Sequence, residues 1–175
     1  PFLILVGMAV PATKTLIMME DMADAEITLK ATGVQWMWKY EYLEDDVFFV
    51  SKLDKDSNKA RKLNSGEDVR NVKNYLLEVD NPVVLPTNTK IRILLTASDV
   101  IHAWWVPELG GKKDAIPGFI NEIWIEIQKP GIYRGQCAEL CGKDHAFMPI
   151  VVNAVPKNEY HKWVKIKQEN KIANK

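Results

Sequence analysis

At 175 residues the chain has the length of one ordinary domain with a little left over at its ends. Its 47% hydrophobic and 26% charged content excludes a disordered chain. A net charge of zero, with no basic stripe interleaved with aromatics, argues against nucleic acid as a partner. The zero hides a segregation: residues 1–50 carry eight acidic and three basic side chains, whereas residues 157–175 carry six lysines and two glutamates. An acidic front attracts a basic partner at low salt, while a basic tail is usually just solvated.

PFLILVGMAVPATKTLIMM, residues 1–19, is predominantly apolar, with Pro11 and Lys14 as its interruptions. A spanning helix needs about 20 such residues. A first residue of proline points to a cut or processed end. No small-residue cleavage site follows, but the acidic cluster Glu20, Asp21, Asp24 and Glu26 does. The segment therefore reads as the C-terminal part of a transmembrane helix leading into a soluble domain. Residues 20–33 read as a polar connector. GVQWMWKYEY then alternates, with Val34, Trp36, Trp38, Tyr40 and Tyr42 in one phase, and predicts a strand.

Residues 51–74, rich in Lys, Asp, Asn and Ser, lack periodicity and predict a surface insertion. Strand signals crowd together beyond it: YLLEVD, PVVLP, KIRILLT, VIHAWWV, FINEIWIEI, IYRGQ and PIVVNAV. Short Gly, Pro, Asn and Asp punctuation between them predicts an all-β sandwich or barrel over residues 34–156. Residues 157–175 read as a lysine-rich helix or tail that Tyr160, Trp163, Val164 and Ile166 dock onto the domain.

The chain's two cysteines, one of its three histidines and a methionine lie in GQCAELCGKDHAFMP, residues 135–149. A disulfide between Cys137 and Cys141 closes too short a loop to stabilise much, and leaves His145 and Met148 unexplained. A structural zinc site is closed by four nitrogen or sulfur donors, and methionine is not among the usual ones. A thioether beside thiolates and imidazole is the soft donor mix that selects copper. A mononuclear blue-copper site takes two His, one Cys and an axial Met. His102, in DVIHAWW, is the upstream candidate, and His161 in the polar tail reads as a surface residue. The second cysteine exceeds what one copper needs. Phe147, Trp105 and Trp124 read as core or ligand-packing residues. Asp99 reads equally as an orienting neighbour of His102 or as an ordinary turn carboxylate.

His102 with the run Gly-Gln-Cys137-Ala-Glu139-Leu-Cys141-Gly-Lys-Asp-His145-Ala-Phe-Met148-Pro resembles the binuclear copper A site of cytochrome c oxidase subunit II. The flanks match too: the apolar start is similar to the end of that subunit's second membrane helix. VQWMWKYEY resembles its aromatic stretch, and LLEVDNPVVLP and DAIPG resemble framework segments. The resemblance implies a cupredoxin-like Greek-key β-sandwich. It implies that Cys137 and Cys141 bridge two coppers, with His102 and His145 each binding one. The Met148 sulfur and the Glu139 carbonyl would be weak ligands, and the Glu139 side chain would reach a magnesium ion shared with subunit I.

The same resemblance makes Trp36 the electron-entry residue where cytochrome c docks, with Glu41, Glu44, Asp45 and Asp46 expected just beyond as an acidic docking surface. The partners it implies are cytochrome c, subunits I and III, and the membrane. The localisation it implies is a bacterial inner membrane, with the copper domain on the periplasmic side. Val34 stands where many relatives carry histidine. Residues 51–74 look like a bacterial insertion relative to the compact mitochondrial form. No CxxCH occurs in these residues, so no covalent haem site is expected within them. Three rivals remain. A nitrous-oxide reductase typically has tryptophan where this chain has Glu139. A quinol oxidase subunit has lost the copper ligands, and a soluble copper carrier would not need the apolar start or the Trp36 stretch.

Overall fold

Alternating apolar residues build two five-stranded sheets that face each other, in a computed structural model describing residues 1–173. In chain order these are β1 (Ile27–Val34), β2 (Met37–Tyr42), β3 (Val47–Ser51), β4 (Val83–Pro86), β5 (Lys90–Ala97), β6 (His102–Trp105), β7 (Lys113–Ala115), β8 (Asn121–Glu126), β9 (Gly131–Cys137) and β10 (Pro149–Val155). The first sheet has the order β3-β2-β1-β5-β8 and the second β4-β10-β9-β6-β7. β1 runs parallel to β5 and β4 runs parallel to β10, while the other pairs are antiparallel. The expected cupredoxin-like sandwich is therefore the fold.

Period-two patterning explains the core. Leu29 and Ala31 of β1, Trp38, Tyr40 and Tyr42 of β2, and Ile91, Ile93 and Leu95 of β5 point inward and are buried. They meet Val83 and Leu85 of β4 and Ile150 and Val152 of β10 from the facing sheet. Each fully buried Leu or Ile contributes about 1.5–3 kcal/mol. The Tyr42 hydroxyl bridges the sandwich: it accepts from the Val84 N–H at 3.0 Å and donates to the Val84 carbonyl at 2.8 Å.

Several elements depart from the sequence reading. The expected connector ends at residue 26, because ITLKATGV forms β1 at the centre of the first sheet. Its inward positions include Ala31 and Gly33, so its apolar alternation is muted. The predicted strand through VQWMWKYEY is interrupted. Val34 pairs with Met37, which leaves Gln35 and Trp36 as the two-residue turn between β1 and β2. YLLEVD is not a strand, since Asn74 and Leu76 adopt positive φ and only Val79 bridges, to Leu53. β3 and the short β7 were not anticipated. The 51–74 insertion contains α2 (Lys55–Ala60), whose N-terminus is capped by the Asp54 carboxylate accepting from the Asp56 and Ser57 N–H groups.

α1 (Phe2–Met19) buries no residue and is long and apolar enough to cross a membrane. α3 (Lys157–Ala173) docks through Tyr160 and Val164, with Trp163 packed 5.2 Å from the Tyr42 ring, while Ile166 stays exposed.

Replacing Tyr42 by phenylalanine strands a buried N–H and a buried C=O on β4. Y42F should destabilise the fold by about 2–4 kcal/mol in urea unfolding. An unchanged midpoint would show that the bridge does not hold the sheets.

Candidate metal centre

His102 opens β6 with no exposed surface. Its Nδ1 lies 3.8 Å from the Cys137 Sγ, and its Nε2 lies 3.0 Å from Asp99 Oδ1. Asp99 also accepts from the backbone N–H of Gln35 at 2.7 Å and of Val100 at 2.7 Å, so its carboxylate is fixed on three sides. The pattern is the carboxylate–histidine pair that sets ring orientation and tautomer beside a metal. Gly33 lets the ring in: a Cβ there would sit 2.6 and 2.8 Å from His102 ring carbons.

Cys137 closes β9, and the loop from Ala138 to Met148 returns the chain to β10. Within it Cys141 turns back, so that its Sγ lies 3.8 Å from the Cys137 Sγ. A short helical turn, His145–Phe147, brings the His145 Nδ1 to 3.5 Å from the Cys141 sulfur. The Met148 Sδ lies 3.5 Å from the same sulfur, and the Glu139 carbonyl oxygen 3.4 Å from the Cys137 Sγ. Both cysteines are free and buried. Their separation is far beyond the roughly 2.05 Å of a disulfide. One ligand atom each from His102, Cys137 and Cys141 falls within 4.8 Å of the others.

The six donors expected from the sequence therefore converge: two thiols, two imidazoles, a thioether and a carbonyl. This set fits copper, since thioether and thiolate are soft ligands.

The protonation states are asymmetric. Burial raises the Cys137 thiol, but hydrogen bonding to His102, to the backbone of Ala103 and Glu139, and to His145 outweighs it and lowers the pKa to about 7. Cys141 is pushed up to about 12 by burial and then by the charge of Cys137. Burial lowers the His102 pKa, but Cys137 and Asp99 outweigh it and hold it above the usual value. Without metal, the neutral-pH pair therefore keeps a proton that metal must displace.

Trp36 stands against the same loop. Its Nε1–H donates to the Cys141 carbonyl at 3.1 Å, and the Gln35 side-chain N–H donates to the same oxygen at 2.9 Å. Gly142, at φ 116°, makes room for the indole, because a Cβ there would lie 3.1 Å from it. Glu139 is exposed, its side chain free to reach outward, and Leu140 beside it is 78% exposed.

The acids expected beside Trp36 are elsewhere. Glu44, Asp45 and Asp46 lie at the β2–β3 turn, the far end of β2 from Trp36, roughly 20 Å of strand away. Glu41 pairs with Lys30 at 2.8 Å, and Glu44 accepts from the Thr28 N–H at 2.8 Å. Asp45 accepts from the Tyr160 hydroxyl at 2.5 Å, and Asp46 pairs with Lys171 at 2.7 Å. They tie the hairpin to β1 and α3. Trp105, expected in the core or packed on the ligands, is 40% exposed, whereas His161 is exposed as expected. Sequence reasoning missed Gln35 and Gly33, and left the role of Asp99 open. Only the fold brings residues 33, 35 and 99 to one place.

The family described as cytochrome c oxidase subunit II, periplasmic domain, matches residues 27–155. The chain is 45% identical over 174 residues to cytochrome c oxidase subunit 2 of Cyanidium caldarium, covering 99% of this chain and 65% of that protein. It is 43% identical over 176 residues to a probable cytochrome c oxidase subunit 2 of Rickettsia prowazekii, covering 100% of this chain and 53% of that one. The chain thus spans between about half and two-thirds of the length of these relatives. The crystal structure of the periplasmic domain of subunit II of cytochrome oxidase from Bradyrhizobium japonicum superposes with a TM-score of 0.71 at 43% identity. That match covers 83% of this chain and 96% of that domain.

Replacing Asp99 by alanine frees the His102 ring and should weaken copper affinity about 10–100-fold in a competition titration. Affinity should also fall with acid, and more steeply below about pH 7, where Cys137 as well as Cys141 must release a proton. Equal affinity for D99A and wild type, or a flat pH profile, would contradict this reading of the site.

Proposed function

Because the chain belongs to the cytochrome c oxidase subunit II family, we propose that it is the electron-entry subunit of a haem–copper oxidase. The observation that carries the reading is the convergence of His102, Cys137, Cys141, His145 and Met148 in one cluster, of which all but the half-buried His145 are buried. When bound, a copper pair would take and release one electron at a time.

The chain's own residues prepare that transfer. Cys137, Cys141, His102 and His145 would hold the coppers. Met148 and the Glu139 carbonyl would complete the set. Asp99 holds the His102 ring so that Nδ1 faces the sulfurs. The sheets that carry β6 and β9 keep His102, Cys137, Cys141 and Met148 buried, which keeps reorganisation small.

Trp36 is the proposed entry point. Its indole donates directly to the carbonyl of Cys141, so a donor seated on Trp36 is one hydrogen bond from a ligand residue. The donor is proposed to be reduced cytochrome c. Glu41, Glu44, Asp45 and Asp46 then add at low salt to the field that steers a basic donor, rather than touching it at Trp36. The exposed Glu139 carboxylate is the proposed ligand of a magnesium ion shared with subunit I. Electrons pass on to haem in subunit I, where oxygen is reduced to water, in an assembly that includes subunit III. α1 is proposed to anchor the domain on the outer face of the membrane, the periplasmic face of the inner membrane in a bacterial cell.

The test is stopped-flow reduction of the copper-loaded protein by ferrocytochrome c. Trp36→Phe should slow reduction by at least an order of magnitude with copper content unchanged, and the wild-type rate should fall as salt rises. Equal rates for variant and wild type would remove Trp36 as the entry point.

A further inference from the structure

The insertion expected as plain surface, residues 51–74, reaches the metal-ligand loop through the Arg61 side chain. Arg61 follows directly on α2 and its guanidinium lies 4.2 Å from the ring centroid of Phe147. The Arg61 Nη1 donates to the Asp144 carboxylate at 3.3 Å. Asp144 and Phe147 bracket His145, so both ends of the turn that carries this ligand rest on the same cation.

Arg61 is itself held. Its Nε donates to the Asn58 Oδ1 at 2.8 Å, one turn back along α2. That helix is anchored beneath: Ser57 and Ala60 are buried, and the Ser57 hydroxyl accepts from the Leu76 N–H at 3.2 Å. The His145 turn has few ties of its own, chiefly the backbone bonds from the His145 N–H to the Gly142 carbonyl and from the Phe147 N–H to the Asp144 carbonyl. An exposed ion pair alone stabilises little. Here the side chains of Arg61 and Asp144 are only 23% and 26% exposed, and the same guanidinium also stacks on an aromatic face.

We propose that Arg61 is a positioning residue that clamps the Asp144–Phe147 turn and so fixes the His145 imidazole for metal. The inference rests on the copper reading for its purpose, while the clamp itself can be measured without metal.

The experiment is amide hydrogen exchange on the metal-free full chain, paired with copper release to an excess of chelator from the loaded chain, for wild type and Arg61→Ala. Exchange at the His145 and Phe147 amides should quicken about 10-fold in R61A while the strand amides keep their rates. Copper release should quicken by a similar factor, and Arg61→Lys should restore part of both, because a lysine retains the charge without the planar stack. If R61A does not fold, Asp144→Asn and Phe147→Leu remove the contacts from the loop side and should give the same local rise. Unchanged exchange over residues 142–148, or an equal rise in the strands, would overturn the clamp. A wild type that takes up no copper would instead overturn the functional reading and leave exchange to decide the clamp.

Discussion

One buried histidine joins the two sheets at the place where the ligands meet. His102 belongs to the second sheet, yet its ring lies against Gly33 at the end of β1 in the first, and its outer nitrogen is held by Asp99, just after β5. Its inner nitrogen faces the Cys137 sulfur at the end of β9. Burying such a polar ring is costly unless both nitrogens are partnered. The fold partners one with a carboxylate and leaves the other to the sulfur cluster. Everything else at the site is placed relative to this ring.

The remaining ligands come from one loop between β9 and β10, and a loop alone is a poor rigid support. The chain compensates by pressing that loop from several directions. Gln35 and Trp36, in the turn between β1 and β2, both donate to the Cys141 carbonyl. Arg61 approaches from the side of the insertion. β10 begins directly at Pro149, so Met148 is buried and fixed by the strand that follows. Electron transfer benefits from a site that does not rearrange, and these supports act on the ligands themselves.

Much of this was legible in the sequence because ligand chemistry is written in residue types. A histidine, two cysteines, a second histidine and a methionine, in this order, announce a soft-metal site, and the strand run announces a sandwich. What was not legible is tertiary. Ala31 and Gly33 weaken the apolar alternation of β1, so residues 27–33 passed for a connector. Trp36 continues the period-two pattern of Val34 and Trp38, yet a two-residue turn takes it out of the core and onto the ligand loop. The acids at 44–46 follow Trp36 closely in sequence, but the intervening strand carries them to the opposite end of the sheet. There α3 and β1 engage them. Asp99 stands close enough to His102 in sequence to be a candidate, but only the fold decides its role, and no local pattern could mark Arg61.

The central claim is that these ligands hold two metals that share one electron. The most direct measurement is copper per chain together with the electron paramagnetic resonance spectrum of the oxidised protein. Two coppers per chain are expected, with hyperfine structure from both nuclei produced by one unpaired electron spread over the pair. One copper with hyperfine structure from a single nucleus, or zinc in its place, would contradict that claim.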